Sequence, residues 1–272
     1  GGTVAADGTY TPPATAGTYH VRVELPSNPA SRTEASITVT GAVSISINEA
    51  PRLTSPGSRV TFVAPVTGNP DSRVVWSASA GTIDENGKLT APDTAGDVTV
   101  TATSVASPSK KATTVVKVIE NPAIRFKFEG KSDLIVVLDT AKAPDTSANL
   151  VALVNEKFYD GIRVHRLEAD FVVQWGDPLT KTLPIDDPSI GSGGPGYTIP
   201  FETNDLKNVA YSLAMARKTG KDTAGSQIYI NLKDNETLDG EYVVFGTAIT
   251  RTAVNNLSIG DRITTATVEE RD

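Results

Sequence analysis

The sequence contains no cysteine, which removes disulfide frameworks, thiolate nucleophiles and cysteine-ligated zinc from consideration. Only two histidines are present, His20 and His165. They lie too far apart to read as a metal motif, and no HExxH, CxxC or GxSxG string occurs. No metal and no cofactor is expected. No run approaches 18 consecutive apolar residues, and residues 1–30 lack a charged segment followed by an apolar one, so no membrane insertion is expected. Basic charge is also scarce: 25 Lys and Arg stand against 32 Asp and Glu, giving a net charge of −7 and a pI near 5.0. With no broad basic face and no aromatics interleaved with basic runs, nucleic acid is not an expected partner.

What is present is turn-rich and globular: 272 residues, 39% hydrophobic and 21% charged, with 17 Pro and 22 Gly. That length suits two or three domains, each with its own core. An internal repeat locates the first seam. The segment GTVAADGTYTPPATAGTY from Gly2 aligns without a gap on GTIDENGKLTAPDTAGDV from Gly81, an offset of 79 residues from Gly2 to Gly81. At the same offset Val21 falls on Val100, Ile37 on Val116 and Val39 on Val118, all in alternating stretches that mark half-buried strands. A unit of about 80 residues built of short strands and Gly/Pro/Asn/Asp turns suits a small antiparallel sandwich, with Trp76 as a core anchor.

The strings WSASAGTI, NGKLTAP and TAGDVTV resemble bacterial immunoglobulin-like modules. On that resemblance residues 41–120 form one complete β-sandwich, while residues 1–40 match only the C-terminal half of another. The chain is therefore expected to begin inside a domain, whose missing half would otherwise leave an apolar face open. Residues 119–122 read as a linker. Beyond them IRFKFEG and DLIVVLDT read as strands, Leu150, Val151, Leu153 and Val154 place a helix over residues 147–157, and a short helix is expected at residues 253–257.

Residues 164–178, VHRLEADFVVQWGDP, resemble the cyclophilin signature, and GSGGPGYTIPFE, LAMARKTGKDTAGSQIYINL and LDGEYVVFGTAI follow in the order of that family. The resemblance covers residues 124–270. It implies an eight-stranded closed β-barrel capped by two α-helices over residues 121–272, so that the whole chain is mostly β. It also implies peptidyl-prolyl cis/trans isomerase activity. Transferred residue by residue, Arg166 is the catalytic arginine and Gln174 the glutamine that orients it. Phe171, Val172, Tyr229 and Leu238 line a proline pocket. Gln227 and the backbone of Ala216 and Arg217 grip the peptide on the N-terminal side of proline, and His165 and Tyr242 complete the substrate-binding set. The implied partners are proline-containing peptide or protein clients.

An X-Pro bond resists rotation because amide resonance gives its C–N bond double-bond character, a barrier of about 18–20 kcal/mol. No bond is made or broken, so catalysis needs only tighter binding of the twisted state than of either planar isomer. Alternative readings of single residues are weaker. Arg166 alone would be a surface ion-pairing residue, and His165 lacks a serine elbow. GSGGPG satisfies the dinucleotide fingerprint but cannot open a helix. Glu168, Asp170 and Asp177 could suggest glycosidase carboxylates, although turn and surface roles fit better. The acidic pair Asp186 and Asp187 reads as a solvated turn before it reads as a calcium site.

Departures from the family pattern bear on substrate preference: valine at Val164, valine at Val172 and tryptophan at Trp175 where phenylalanine, methionine and glycine are usual. Thr237 stands where cyclosporin-binding members carry tryptophan, so cyclosporin binding is expected to be weak. Asp170 replaces a turn glycine, in a place that asks for left-handed backbone. The tandem β-modules and lack of cysteine point to a secreted, periplasmic or cell-surface bacterial protein that assists folding there. A non-catalytic proline-binding module and a cell-surface adhesion module are the competing readings, and oligomeric state is left open.

Overall fold

The computed structural model describes residues 1–48 and 52–271. Its C-terminal part is an antiparallel sheet of eight strands: β1 (Ala123–Phe128), β2 (Leu134–Leu138), β3 (Arg166–Glu168), β4 (Val172–Trp175), β5 (Ser212–Met215), β6 (Ile228–Asn231), β7 (Val244–Ala248) and β8 (Ile263–Glu269), in the spatial order β3-β4-β6-β5-β7-β2-β1-β8. The sheet curls around one apolar core that includes Ile124, Phe126, Leu134, Val136, Val173, Ile230 and Phe245. Alternation decides which face turns inward. In β1 the side chains of Ile124, Phe126 and Phe128 are buried while Lys127 is exposed, and each large apolar side chain so removed from water contributes about 1.5–3 kcal/mol.

The expected closed barrel is a curled sheet whose edge strands do not share a ladder. Among the described residues β3 pairs only with β4, and the segment before it carries the seam. Arg163 bridges Arg262. Val164 N donates to Asp261 O at 2.9 Å, and Ile263 N to Ile162 O at 2.8 Å.

The main helix, α1 (Pro144–Asn155), starts three residues earlier than residues 147–157 because Pro144 opens it. Its first amides are capped from a distance. Glu202 accepts from Asp145 N at 2.8 Å and from Thr146 N at 2.6 Å, placing a carboxylate at the positive end of the helix. The second helix, α2 (Arg251–Asn255), begins two residues before the expected segment.

Residues 52–120 contribute two small sheets that lie face to face, while Val66–Thr67 pairs with Ser44–Ile45 in a third, two-stranded one. Of the facing sheets, one contains Leu53–Thr54, Lys111–Val118, Gly96–Ser104 and Val74–Ala78; the other contains Thr82–Ile83, Lys88–Thr90 and Arg59–Thr61. Val60, Phe62 and Leu89 of one side meet Val98, Val100, Val116 and Val118 of the other. Trp76 lies at the margin of this core, partly buried and 6.2 Å from the Phe62 ring.

The repeat is geometric as well as textual. Thr3 pairs with Thr11 as Thr82 pairs with Thr90, and Gly17 pairs with Val39 as Gly96 pairs with Val118. The two copies differ in their neighbours. Gly96–Ser104 is also paired with Val74–Ala78, whereas Gly17–Leu25 pairs only with Asn28–Val39 among the described residues, and its Val23 is 64% exposed.

Residues 119–122 are not a free linker. Ile119 is buried and donates its N–H to Thr54 O at 2.9 Å, and Asn121 accepts from Thr140 N at 3.0 Å. The sandwich also sits on α1: Asn155 Nδ2 donates to Leu53 O at 3.2 Å, and Lys117 pairs with Glu270 at 2.6 Å. Consequently α1 is buried along its whole length from Thr146 to Val154, with small residues such as Ser147 and Ala148 toward the sandwich side. A Cβ at Gly57 would lie 4.0 Å from Ala148. Ala148→Phe is therefore expected to overpack this contact and destabilise the full chain by about 1–3 kcal/mol. Urea unfolding followed by circular dichroism measures it, and an unchanged midpoint would refute the contact.

Candidate active site

The site grows from the β3–β4 hairpin. Arg166 stands opposite Gln174, and Glu168 opposite Val172, so these four share one face of the sheet. The turn between the strands places Asp170 at φ 55°, the left-handed conformation its replacement of glycine calls for. Next along the chain, Gly176 has φ 108°, and a Cβ there would overlap the Ser226 carbonyl. Only glycine lets β4 pass this close to the segment leading into β6.

Nine of the eleven expected site residues line one recess of about 180 Å³: Arg166, Phe171, Val172, Gln174, Ala216, Arg217, Tyr229, Leu238 and Tyr242. Two of its lining residues, Val172 and Tyr229, belong to a small buried cluster with Ala214 and Val244 that backs the recess. Tyr229 meets Tyr242 edge to face at 6.0 Å and donates its hydroxyl proton to Asn208 at 2.9 Å. Burial pushes the Tyr229 phenol well above its ordinary pKa, so it remains neutral. Arg217 stacks on the outer face of Tyr242 at 4.7 Å and is tied to the Glu241 carboxylate at 3.1 Å.

A second recess of about 380 Å³ opens beside the first, sharing Gln174, Ala216 and Arg217 and adding Gln227, Tyr197 and the 191–196 loop. His165 is in neither lining; its ring nitrogens are buried without a hydrogen-bond partner. Of the eleven expected residues, His165 is the one that lines neither recess. Burial holds its pKa below the ordinary imidazole value, with the nearby Asp177 carboxylate partly opposing. A depressed value means that the unfolded chain binds the proton more readily. Stability is therefore expected to fall as pH drops below about 6.5 toward the folded-state pKa. His165→Asn should flatten that part of the dependence, read as the difference in urea midpoint between pH 7.5 and pH 5. An identical slope in the variant would contradict this.

A chain of hydrogen bonds reaches the arginine. Arg166 Nη1 donates to Gln174 Oε1 at 3.1 Å, Gln174 Nε2 donates to Gln227 Oε1 at 2.9 Å, and Gln227 Nε2 donates to the carbonyls of Gly191 and Gly193 at 2.9 and 2.8 Å. The direction cannot reverse. Guanidinium only donates and backbone carbonyls only accept, so both amides are oriented from their two ends. The 191–193 loop is itself held by Asp177, whose carboxylate accepts from Leu179 N at 2.8 Å, Gly191 N at 2.6 Å and Gly193 N at 2.9 Å. Asp177 is fully buried and caps the turn at Pro178–Lys181, so of the turn and surface roles expected for it the turn holds and the surface does not. The GDP string was the available signal.

Sequence reasoning also missed Glu168, which is paired with Arg166, and Asn149 of α1, which accepts from the Tyr197 hydroxyl at 2.8 Å and donates to Gly225 O at 2.8 Å. Trp175 faces the opposite way, into the core, with ring centroids 5.5 Å from Phe126 and 6.2 Å from Phe128. Its replacement of glycine thus leaves the recess untouched. Asp187 caps Ser189 N at 2.9 Å as an acidic turn, and no group of three or more metal-ligating side chains is gathered among the described residues. Among those residues no helix is long and apolar enough to cross a membrane.

Comparison with known proteins places this geometry. The cyclophilin type peptidyl-prolyl cis-trans isomerase/CLD family matches residues 123–270. A peptidyl-prolyl cis-trans isomerase of Synechococcus elongatus is 40% identical over 124 residues, covering 44% of this chain and 79% of its own length. Peptidyl-prolyl cis-trans isomerase B of Bacillus subtilis is 41% identical over 147 residues, 53% of this chain and 96% of its own. A solved cyclophilin type isomerase of Cryptosporidium parvum aligns with a TM-score of 0.48 at 24% identity, covering 56% of this chain and 99% of its own.

Proposed function

Because the chain belongs to the cyclophilin-type peptidyl-prolyl cis-trans isomerase family, we propose that Arg166 stabilises the twisted transition state of an X-Pro bond whose ring lies in the 180 Å³ recess. Twisting the bond returns a lone pair to the proline nitrogen, which a guanidinium N–H can meet while the planar amide offers nothing comparable. The binding is therefore differential. The apolar lining excludes water around the ring and strengthens that hydrogen bond. Gln174 and Gln227 carry no proton in this reaction; they orient the donor.

The observation that carries this reading is the one-way hydrogen-bond chain that ends on Arg166 at the mouth of an apolar recess. The adjoining recess receives the residues before proline. Ala216 N already donates to Gln227 O at 2.9 Å, so its carbonyl is what meets the peptide. Exchange NMR on a short Ala-Pro peptide tests the reading. Acceleration by the full chain that vanishes in Arg166→Ala supports it, and acceleration that survives the change refutes it.

The clients proposed are proline-containing proteins folding outside the cytoplasm, with residues 41–120 as an immunoglobulin-like module that presents the isomerase there. The tandem repeat of that module supports this placement. Fractionation of cells producing the full protein tests it, and recovery only in the cytoplasm would oppose it. Cyclosporin should bind weakly, because exposed Thr237 beside Leu238 offers no indole N–H at the rim. Submicromolar affinity in a calorimetric titration would contradict that.

A further inference from the structure

We propose that Glu168 is a positioning residue for the isomerisation, holding the guanidinium of Arg166 from the edge opposite Gln174. This rests on the reading of Arg166 above. A guanidinium has five N–H donors in one plane. Glu168 Oε1 accepts from Nε at 2.9 Å and lies 2.7 Å from Nη2, while Gln174 Oε1 accepts from Nη1 at 3.1 Å. Three donors are thereby engaged, and the two that remain are one on each terminal nitrogen. The Phe171 ring, 5.5 Å away, supports one face of the plane.

With Gln174 alone the head group would pivot about a single hydrogen bond. The second anchor removes that freedom, so the free donors keep one direction as the proline nitrogen turns pyramidal. Two residues apart on β3, Arg166 and Glu168 point to the same side, and β4 supplies Val172 and Gln174 there. Both partners are solvent-accessible, at 42% and 53%, so the pair adds little to folding. Its consequence is confined to the direction of the catalytic side chain.

The test uses the full chain and an Ala-Pro peptide, with kcat and KM separated by exchange NMR across substrate concentrations. Glu168→Ala is expected to lower kcat about three- to fivefold, the range an exposed ion pair can supply, with KM within twofold of the wild type. Glu168→Gln, whose amide oxygen still accepts, should recover most of that loss. In nitrogen-15 spectra the Arg166 Nε–H signal should shift in Glu168→Ala and stay near its place in Glu168→Gln, with the backbone spectrum unchanged in both. Wild-type kcat or faster turnover in Glu168→Ala overturns the proposal, as does Glu168→Gln no faster than Glu168→Ala. The control is Arg166→Ala: if it too turns over normally, the reading of the site fails with the proposal, whereas a slow Arg166→Ala beside a normal Glu168→Ala removes Glu168 alone.

Discussion

Arg166→Ala is expected to reduce kcat/KM for X-Pro isomerisation about 10²–10³-fold, the usual cost of deleting one preorganised donor aimed at transition-state charge. The fold should survive. The Arg166 side chain is 42% exposed, so truncation leaves no buried cavity, and Gln174 keeps its bond to Gln227. Arg166→Lys should fall nearly as far. An ammonium is a point charge on a flexible stem and cannot be held by two edges while presenting further donors in the same plane. Exchange NMR on the three proteins, with circular dichroism to confirm folding, makes the comparison. A lysine variant at wild-type speed would mean that positive charge alone suffices, and the oriented-donor account would be lost.

Trp175→Ala should cost about 3–5 kcal/mol of stability, in the range for removing a large aromatic from a packed core. The indole is fully buried between Phe126 and Phe128, and edge-to-face contacts of this kind add to the loss. Its Nε1 is buried without a hydrogen-bond partner, an expense that phenylalanine would not carry. Trp175→Phe should therefore be markedly milder than Trp175→Ala. Urea unfolding followed in the far ultraviolet measures both. A Trp175→Ala midpoint close to that of the wild type would show that the ring is not a core element.

Much of this was legible in the chain alone. Ordered motif strings located the isomerase domain and nine of the residues that line its recess. Strand alternation placed β1 and β2, and the 79-residue offset between Gly2 and Gly81 anticipated two hairpins with the same register. These properties are local or copied: a strand repeats every two residues, and a motif keeps its spacing wherever the domain occurs.

Tertiary structure decided the remainder. Trp175 and Gln174 are neighbours in β4, yet one enters the core and the other the site, because successive side chains of a strand face opposite ways and only the curl of the sheet says which way is in. Asp177 is a hub because the 191–193 loop folds back on it, and α1 is buried on both sides because a module that precedes it in sequence packs on its outer face. Residue order settles which side chains are available for the chemistry. Their directions came from contacts between segments tens of residues apart, and such contacts have no period in the chain that a linear reading can detect.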